Sequence, residues 1–305
     1  MGETQDLGAR TRSRRPAGWL WALAAVALIV GLVTAWMLRP GEPAASAPVI
    51  TATPTSSAIP SPTPTPTGYP VNATPYDLTT LPQVKVFAVI PELPVDDDPY
   101  GAFTGEDATP HESGAPVFAD PLGQPVAYLP SAYTYGGTTV PIIERQTNWV
   151  RVLLAGRHAV PSQGNPAQIT GWLRTEDVDI TPQSASVEVS ISSRTIDIVR
   201  GGISQRIATD FGWGADDTPT PRGRSFIMTI RTEPTFLYTA GYPLVYLSVQ
   251  SPTMDGFAGA DVAVTAFHYH DNRSGNVSNG CLRVDPDAIT LLAALPLGTP
   301  VTVRP

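Results

Sequence analysis

Apolar and polar positions alternate most strictly just after residue 186. Val187-Glu188-Val189-Ser190-Ile191 and Thr195-Ile196-Asp197-Ile198-Val199 keep a period of two, with a Ser-Ser-Arg turn between them. That period lays one face of an extended segment on a core, so it predicts β-strands. Arg200-Gly201-Gly202 then supplies the positive φ of a tight turn into Ile203–Thr209, making a β-meander. Tyr242–Val249, Asp261–His270 and a closing run to Val303 read the same way. The one helical pattern is Pro286–Leu295, with Asp285 as N-cap, Pro286 in the first turn and Ile289, Leu292 and Leu295 on one face. Upstream, Val84–Ile90, Pro116–Phe118, Pro125–Leu129, Val140–Glu144, Trp149–Leu154 and Ile169–Leu173 are short β-like runs between Gly and Pro. Residues 91–114, rich in Asp, Pro and Gly, predict a long loop or insertion.

The pattern breaks down before residue 80. Gly18–Leu38 carries no charge, and as a helix rising about 1.5 Å per residue it is long enough for a hydrocarbon core of about 30 Å. Trp19, Trp21 and Trp36 stand near its ends, and Arg10, Arg12, Arg14 and Arg15 precede it. These features predict a single membrane helix with residues 1–17 cytoplasmic and the rest on the extracytoplasmic side. A cleaved signal peptide is the rival, since Ala44-Ala45-Ser46-Ala47 offers small residues for cleavage. Residues 39–80, dominated by Pro, Thr, Ser and Ala, predict an extended linker without a core of its own.

Composition narrows the function. Nineteen Lys+Arg against 27 Asp+Glu leave a net charge of −8, and a nucleic-acid partner would want a basic face. Cys281 is the sole cysteine. In an exported chain it has no internal disulfide partner, so it is either a reactive thiol or a buried small side chain.

The residues around Cys281 favour chemistry. A thiol acts as a nucleophile when a neighbouring imidazole takes its proton. His268 and His270 lie 13 and 11 residues upstream, at the end of an apolar run. A strand carrying His, a polar loop over Asp271–Asn279 and then Gly-Cys can fold back and pair the two side chains. Gly280 allows tight curvature, turning the amides of Gly280 and Cys281 toward an oxyanion. Arg283 is placed to bind a carboxylate or hold the loop. A zinc site built from His268, His270 and Cys281 is the competing reading.

Ser278-Asn279-Gly280-Cys281-Leu282-Arg283 resembles the signature of the L,D-transpeptidase (YkuD-type) family, [ST]-x-G-C-[IVL]-R downstream of a histidine. Two further segments are similar to that family: Thr218-Pro219-Thr220-Pro221-Arg222-Gly223 with Phe226-Ile227, and Asp287 through Val301. The family's His-Gly-Thr is replaced by His268-Tyr269-His270, and Asn279 stands where a histidine is frequent. Spacing and the preceding Phe267 favour His268 as the base, with His270 the alternative.

The resemblance implies a peptidoglycan cross-linking enzyme without metal or organic cofactor, whose partners are stem peptides. Cys281 would be the nucleophile and the histidine base and then acid. Gly280 and its neighbours would hold the oxyanion, Ser278 would brace the loop and Arg283 would shape the site. Tyr238, Tyr242 and Tyr246 fall where the family builds its substrate lid, or are strand packing. A carboxypeptidase using water and an inactive wall-binding scaffold are the alternatives.

Trp149, Gly171 and Trp172 are similar to marks of bacterial SH3-like domains, in which the tryptophans are core or a ligand platform. The expected fold class is therefore mostly β: an N-terminal transmembrane helix at 18–38, an SH3-like small β-barrel at 81–182, and a YkuD-like β-sandwich with one late helix at 186–305.

Overall fold

The computed structural model describes residues 68–305. The first seven strands form one sheet: β1 (Glu106–Pro110), β2 (Ala115–Phe118), β3 (Pro125–Leu129), β4 (Val140–Arg145), β5 (Trp149–Leu154), β6 (Ile169–Arg174) and β7 (Val178–Pro182), in the order β3-β2-β6-β5-β4-β1-β7. Strand β1 lies where the sequence predicted a loop. Its Asp- and Pro-rich residues hide the alternation, but pairing with β7 from Glu106↔Pro182 to Pro110↔Val178 supplies the missing order. Conversely, Val84–Ile90 is no strand. A turn closed by Ala88 N–H on Lys85 O bends it, and its ladder pairing is limited to an isolated bridge, Val89 with Arg157. Trp149 and Trp172 are core: Tyr69 and Tyr76 cover them, and the Trp149 indole N–H donates to Pro70 O at 2.8 Å.

The second sheet holds β8 (Ser186–Ser190), β9 (Thr195–Arg200), β10 (Ile203–Ala208), β11 (Gly212–Gly214), β12 (Gly223–Arg231), β13 (Leu244–Gln250), β14 (Val264–Tyr269), β15 (Gly275–Ser278), β16 (Leu282–Val284) and β17 (Pro300–Arg304). Their order is β10-β9-β8-β17-β12-β13-β14-β16-β11-β15. Gly201 and Gly202 both take positive φ at the β9–β10 turn, as a tight hairpin requires. The one α-helix among the described residues, α1 (Pro286–Ala293), starts where Asp285 accepts from Ala288 N–H at 2.8 Å. Its buried Ala288, Ile289 and Leu292 join the core under this sheet with Phe267, Leu282 and Val284.

The two sheets share a core. Phe226 and Met228 of β12 sit in one apolar cluster with Val150, Val152 and Leu154 of β5. Polar bonds cross as well: Gln250 Nε2 donates to Val86 O at 2.8 Å, and Ser248 Oγ to Gln168 Oε1 at 2.6 Å. Arg224 meets Asp96 in a buried bidentate pair at 2.6 and 3.0 Å. The described residues accordingly belong to one compact unit.

The expected fold class needs correction. The described chain is mostly β with one late helix, and among the described residues no helix is long and apolar enough to cross a membrane. The helix expected at 18–38, the tail at 1–17 and most of the linker lie outside the described residues. Residues 81–182, where an SH3-like small β-barrel was expected, contribute seven strands to one sheet whose core continues into the second.

Candidate active site

Strand pairing brings the chemistry together. β14 and β16 run parallel, with Phe267 opposite Leu282 and His268 opposite Arg283. Because side chains alternate, Phe267, Leu282 and Val284 turn into the core while His268 and Arg283 share the other face. Cys281 precedes β16 by one residue and joins that face. His268, His270, Ser278, Asn279, Cys281 and Arg283 all line one cavity of about 220 Å³. Tyr238, Met254, Phe257, Ala263 and Val264 complete its lining.

The segment between histidines and cysteine is more ordered than the expected polar loop. Gly275–Ser278 is strand β15, paired in parallel with β11. Its end is tied from across the sheet, since Ala215 N–H and Thr218 Oγ1 both donate to Ser278 O, at 2.9 and 3.2 Å. Ser278 Oγ accepts from Gly280 N–H at 3.1 Å and donates to Cys281 O at 2.6 Å, closing the turn before the thiol. Gly280 sits at φ 108°, a region that side-chain-bearing residues rarely adopt. The sequence pointed the amides of Gly280 and Cys281 at an oxyanion; the Gly280 N–H is instead spent on Ser278.

The two histidines differ in a way that sequence could not reveal. His268 is buried, and its Nδ1 lies 2.8 Å from Tyr269 O. A carbonyl only accepts, so Nδ1 carries the proton and Nε2 of the neutral ring is left basic. His270, just past the end of β14, has its Nδ1 2.9 Å from Asn272 N–H. An amide only donates, so neutral His270 keeps its proton on Nε2. Burial drives the His268 pKa down to about 4, opposed by its bond to Tyr269 and aided by the nearby Arg283 charge. Burial also lowers His270. The Cys281 thiol is pushed up by burial, against a backbone hydrogen bond at Ala266 and the Arg283 charge. Near neutral pH the resting pair is thus thiol and neutral imidazole.

Arg283 donates from Nη1 to Asn272 O at 3.1 Å, while its buried Nε has no partner among the described residues. Asn279 is exposed at the cavity rim. Tyr238, from the 3₁₀ turn Leu237–Thr239, packs edge-on to His268 at 5.3 Å and tilted to His270 at 5.7 Å. Tyr242 packs on Tyr269, and Tyr246 joins the core shared by the two sheets. Of the three tyrosines, only Tyr238 lines the cavity. Met254, Phe257, Ala263 and Val264 carry no chemical signature, and nothing in their spacing marks them as lining. Among the described residues, no three His, Cys, Asp or Glu side chains are grouped as metal ligands.

Solved structures that the chain matches include an L,D-transpeptidase from Mycobacterium smegmatis, at 15% identity and TM-score 0.31, covering 52% of this chain and 91% of that one. Another from Mycobacterium tuberculosis H37Rv shares 15% identity at TM-score 0.31, covering 57% and 100%. One from Stackebrandtia nassauensis shares 20% at TM-score 0.29, covering 41% and 58%. No curated protein sequence matches. Residues 184–303, which contain every strand and loop of the cavity, match the family model YkuD, the L,D-transpeptidase catalytic domain.

Proposed function

We propose that this chain is a cysteine-dependent L,D-transpeptidase that cross-links peptidoglycan stem peptides. The observation that carries the reading is one cavity holding the Cys281 thiol and a buried imidazole whose free nitrogen is Nε2. His268 Nε2 takes the thiol proton as sulfur attacks the carbonyl of the L-centre of the diamino acid in a donor tetrapeptide stem. The oxyanion is held by the Cys281 amide. On collapse the C–N bond to the terminal D-Ala breaks, and His268 returns the proton to the departing amine. The thioester is then attacked by an amine of a second stem, which loses a proton to His268, and the thiolate leaves as the 3→3 amide forms.

Arg283, beside His268 in the parallel register, faces the stem's carboxylate. His270 stands next to the reacting pair without sharing its role. On this reading the catalytic unit works on the extracytoplasmic side, the side the sequence predicts for everything after the membrane helix.

Incubation with tetrapeptide-containing muropeptides tests the reading. D-Ala release with 3→3 dimers is expected, and both are lost in Cys281→Ala. Release without dimers would make the enzyme a carboxypeptidase, and no release would end the enzymatic reading.

A further inference from the structure

The apolar part of the cavity comes from the β13–β14 connection, residues 251–263, which contributes Met254, Phe257 and Ala263. Within that connection Ser251 N–H donates to Ala263 O at 2.8 Å, and Ser251 Oγ accepts from Thr253 and Met254 N–H at 3.3 and 3.1 Å. Its tip is closed by Phe257 and Ala260 pairing through their backbones, with Ala258 and Gly259 in left-handed conformations. Phe257 and Asp255 are exposed. Thr253 Oγ1 ties it to Asp217 O at 2.9 Å, and further ties come from the other sheet.

Arg157 leaves the end of β5, its backbone pinned by Arg157 N–H to Ala88 O at 3.1 Å and Ile90 N–H to Arg157 O at 2.9 Å. Its guanidinium is buried, 2% exposed, and Nη2 donates to the carbonyls of Asp255 at 2.6 Å and Asp261 at 2.9 Å. These are the two shoulders of the connection. Ser162 adds a second tie, accepted by the Asp255 carboxylate from both Ser162 N–H and Oγ–H, at 2.9 and 2.5 Å. The Arg157 Nη1 is buried with no partner among the described residues. Burying a cation with one nitrogen unsatisfied is costly, and no ion pair to Arg157 within salt-bridge distance offsets it among the described residues. What Arg157 gains is the fixed geometry of two carbonyls next to the active-site wall.

We infer that Arg157 and Ser162 are positioning residues: the first sheet sets the apolar wall of the cavity, and through it the binding of the donor stem. This deepens the transpeptidase reading and rests on it. The wall contacts methyl and methylene groups of the stem. It does not touch the proton path between Cys281 and His268.

Arg157→Met, Arg157→Lys and Ser162→Ala test it in the full chain, with three readouts. In Arg157→Met the KM for tetrapeptide muropeptide should rise at least about fivefold with kcat within about twofold. Alkylation of Cys281 by iodoacetamide, a reagent too small to need the wall, should keep its parental rate and pH profile. Amide hydrogen exchange over residues 255–262 should quicken. Lysine, which can reach the same carbonyls, should restore much of the parental KM.

An unchanged KM in folded Arg157→Met overturns the inference, and so does a parallel fall of alkylation and turnover, which marks general disruption. If Arg157→Met does not fold, Ser162→Ala decides: raised KM supports the inference, parental KM overturns it. A parent that releases no D-Ala sinks the functional reading instead. In that event unchanged exchange over 255–262 in the variants overturns the clamp, and quickened exchange supports it.

Discussion

His268 makes the fold sensitive to acid in a calculable way. In the unfolded chain its pKa is near 6.5, and burial brings it to about 4 in the folded protein. Between those values the unfolded chain binds a proton that the folded protein refuses, so stability falls as pH falls. The contribution is fully present above about pH 6.5 and is lost progressively down through about pH 4. Lowering that pKa from 6.5 to about 4 is worth about 3 kcal/mol, at about 1.36 kcal/mol per tenfold change in proton affinity. For a folded unit of this size that corresponds to roughly 6–12 °C in Tm.

The perturbation is His268→Gln, which keeps a polar side chain but cannot titrate. The assay is thermal unfolding of parent and variant at about pH 7 and about pH 4, because carboxylates titrating elsewhere cancel in the comparison. The parent should lose roughly 6–12 °C more than the variant on acidification. Parallel losses would refute the reasoning, because His268 would then be equally protonated in both states.

Two other predictions follow from the same geometry. Ser278→Ala removes two hydrogen bonds and strands the Gly280 amide, so about 2–3 kcal/mol of loop order is lost, and Cys281 acylation by a carbapenem should slow by roughly 10- to 100-fold. Mass spectrometry of the acylated protein over time measures it, and a parental rate would contradict the bracing role. Asp96→Asn leaves the buried Arg224 charge uncompensated and should cost about 3–5 kcal/mol, lowering Tm by roughly 10 °C while unfolding stays a single transition. Calorimetry showing two separate transitions would mean that the sheets do not share a core.

Much of the second sheet was legible in the sequence because its strands follow simple local rules. The β8–β10 meander declares itself by alternation and a Gly-Gly turn, and α1 by its Asp285 cap and its apolar face. The Gly-Cys-Leu-Arg motif likewise marked the proposed nucleophile, since its residue types are tied to the proposed chemistry. Strand β1 was hidden because its order comes from β7, more than sixty residues away, and β15 because β11 supplies its partner.

The sequence by itself determined the mostly β character, the late helix, and a short list of reactive side chains around Cys281. It favoured His268 over His270 only through spacing and the preceding Phe267. The tertiary structure adds a physical difference between them. A carbonyl at one Nδ1, an amide at the other and unequal burial fix which nitrogen each ring leaves free, and those neighbours are set by how the strands pack. The same holds for Arg157, an unremarkable cation in the sequence, whose guanidinium meets two carbonyls about a hundred residues downstream only once the two sheets share a core.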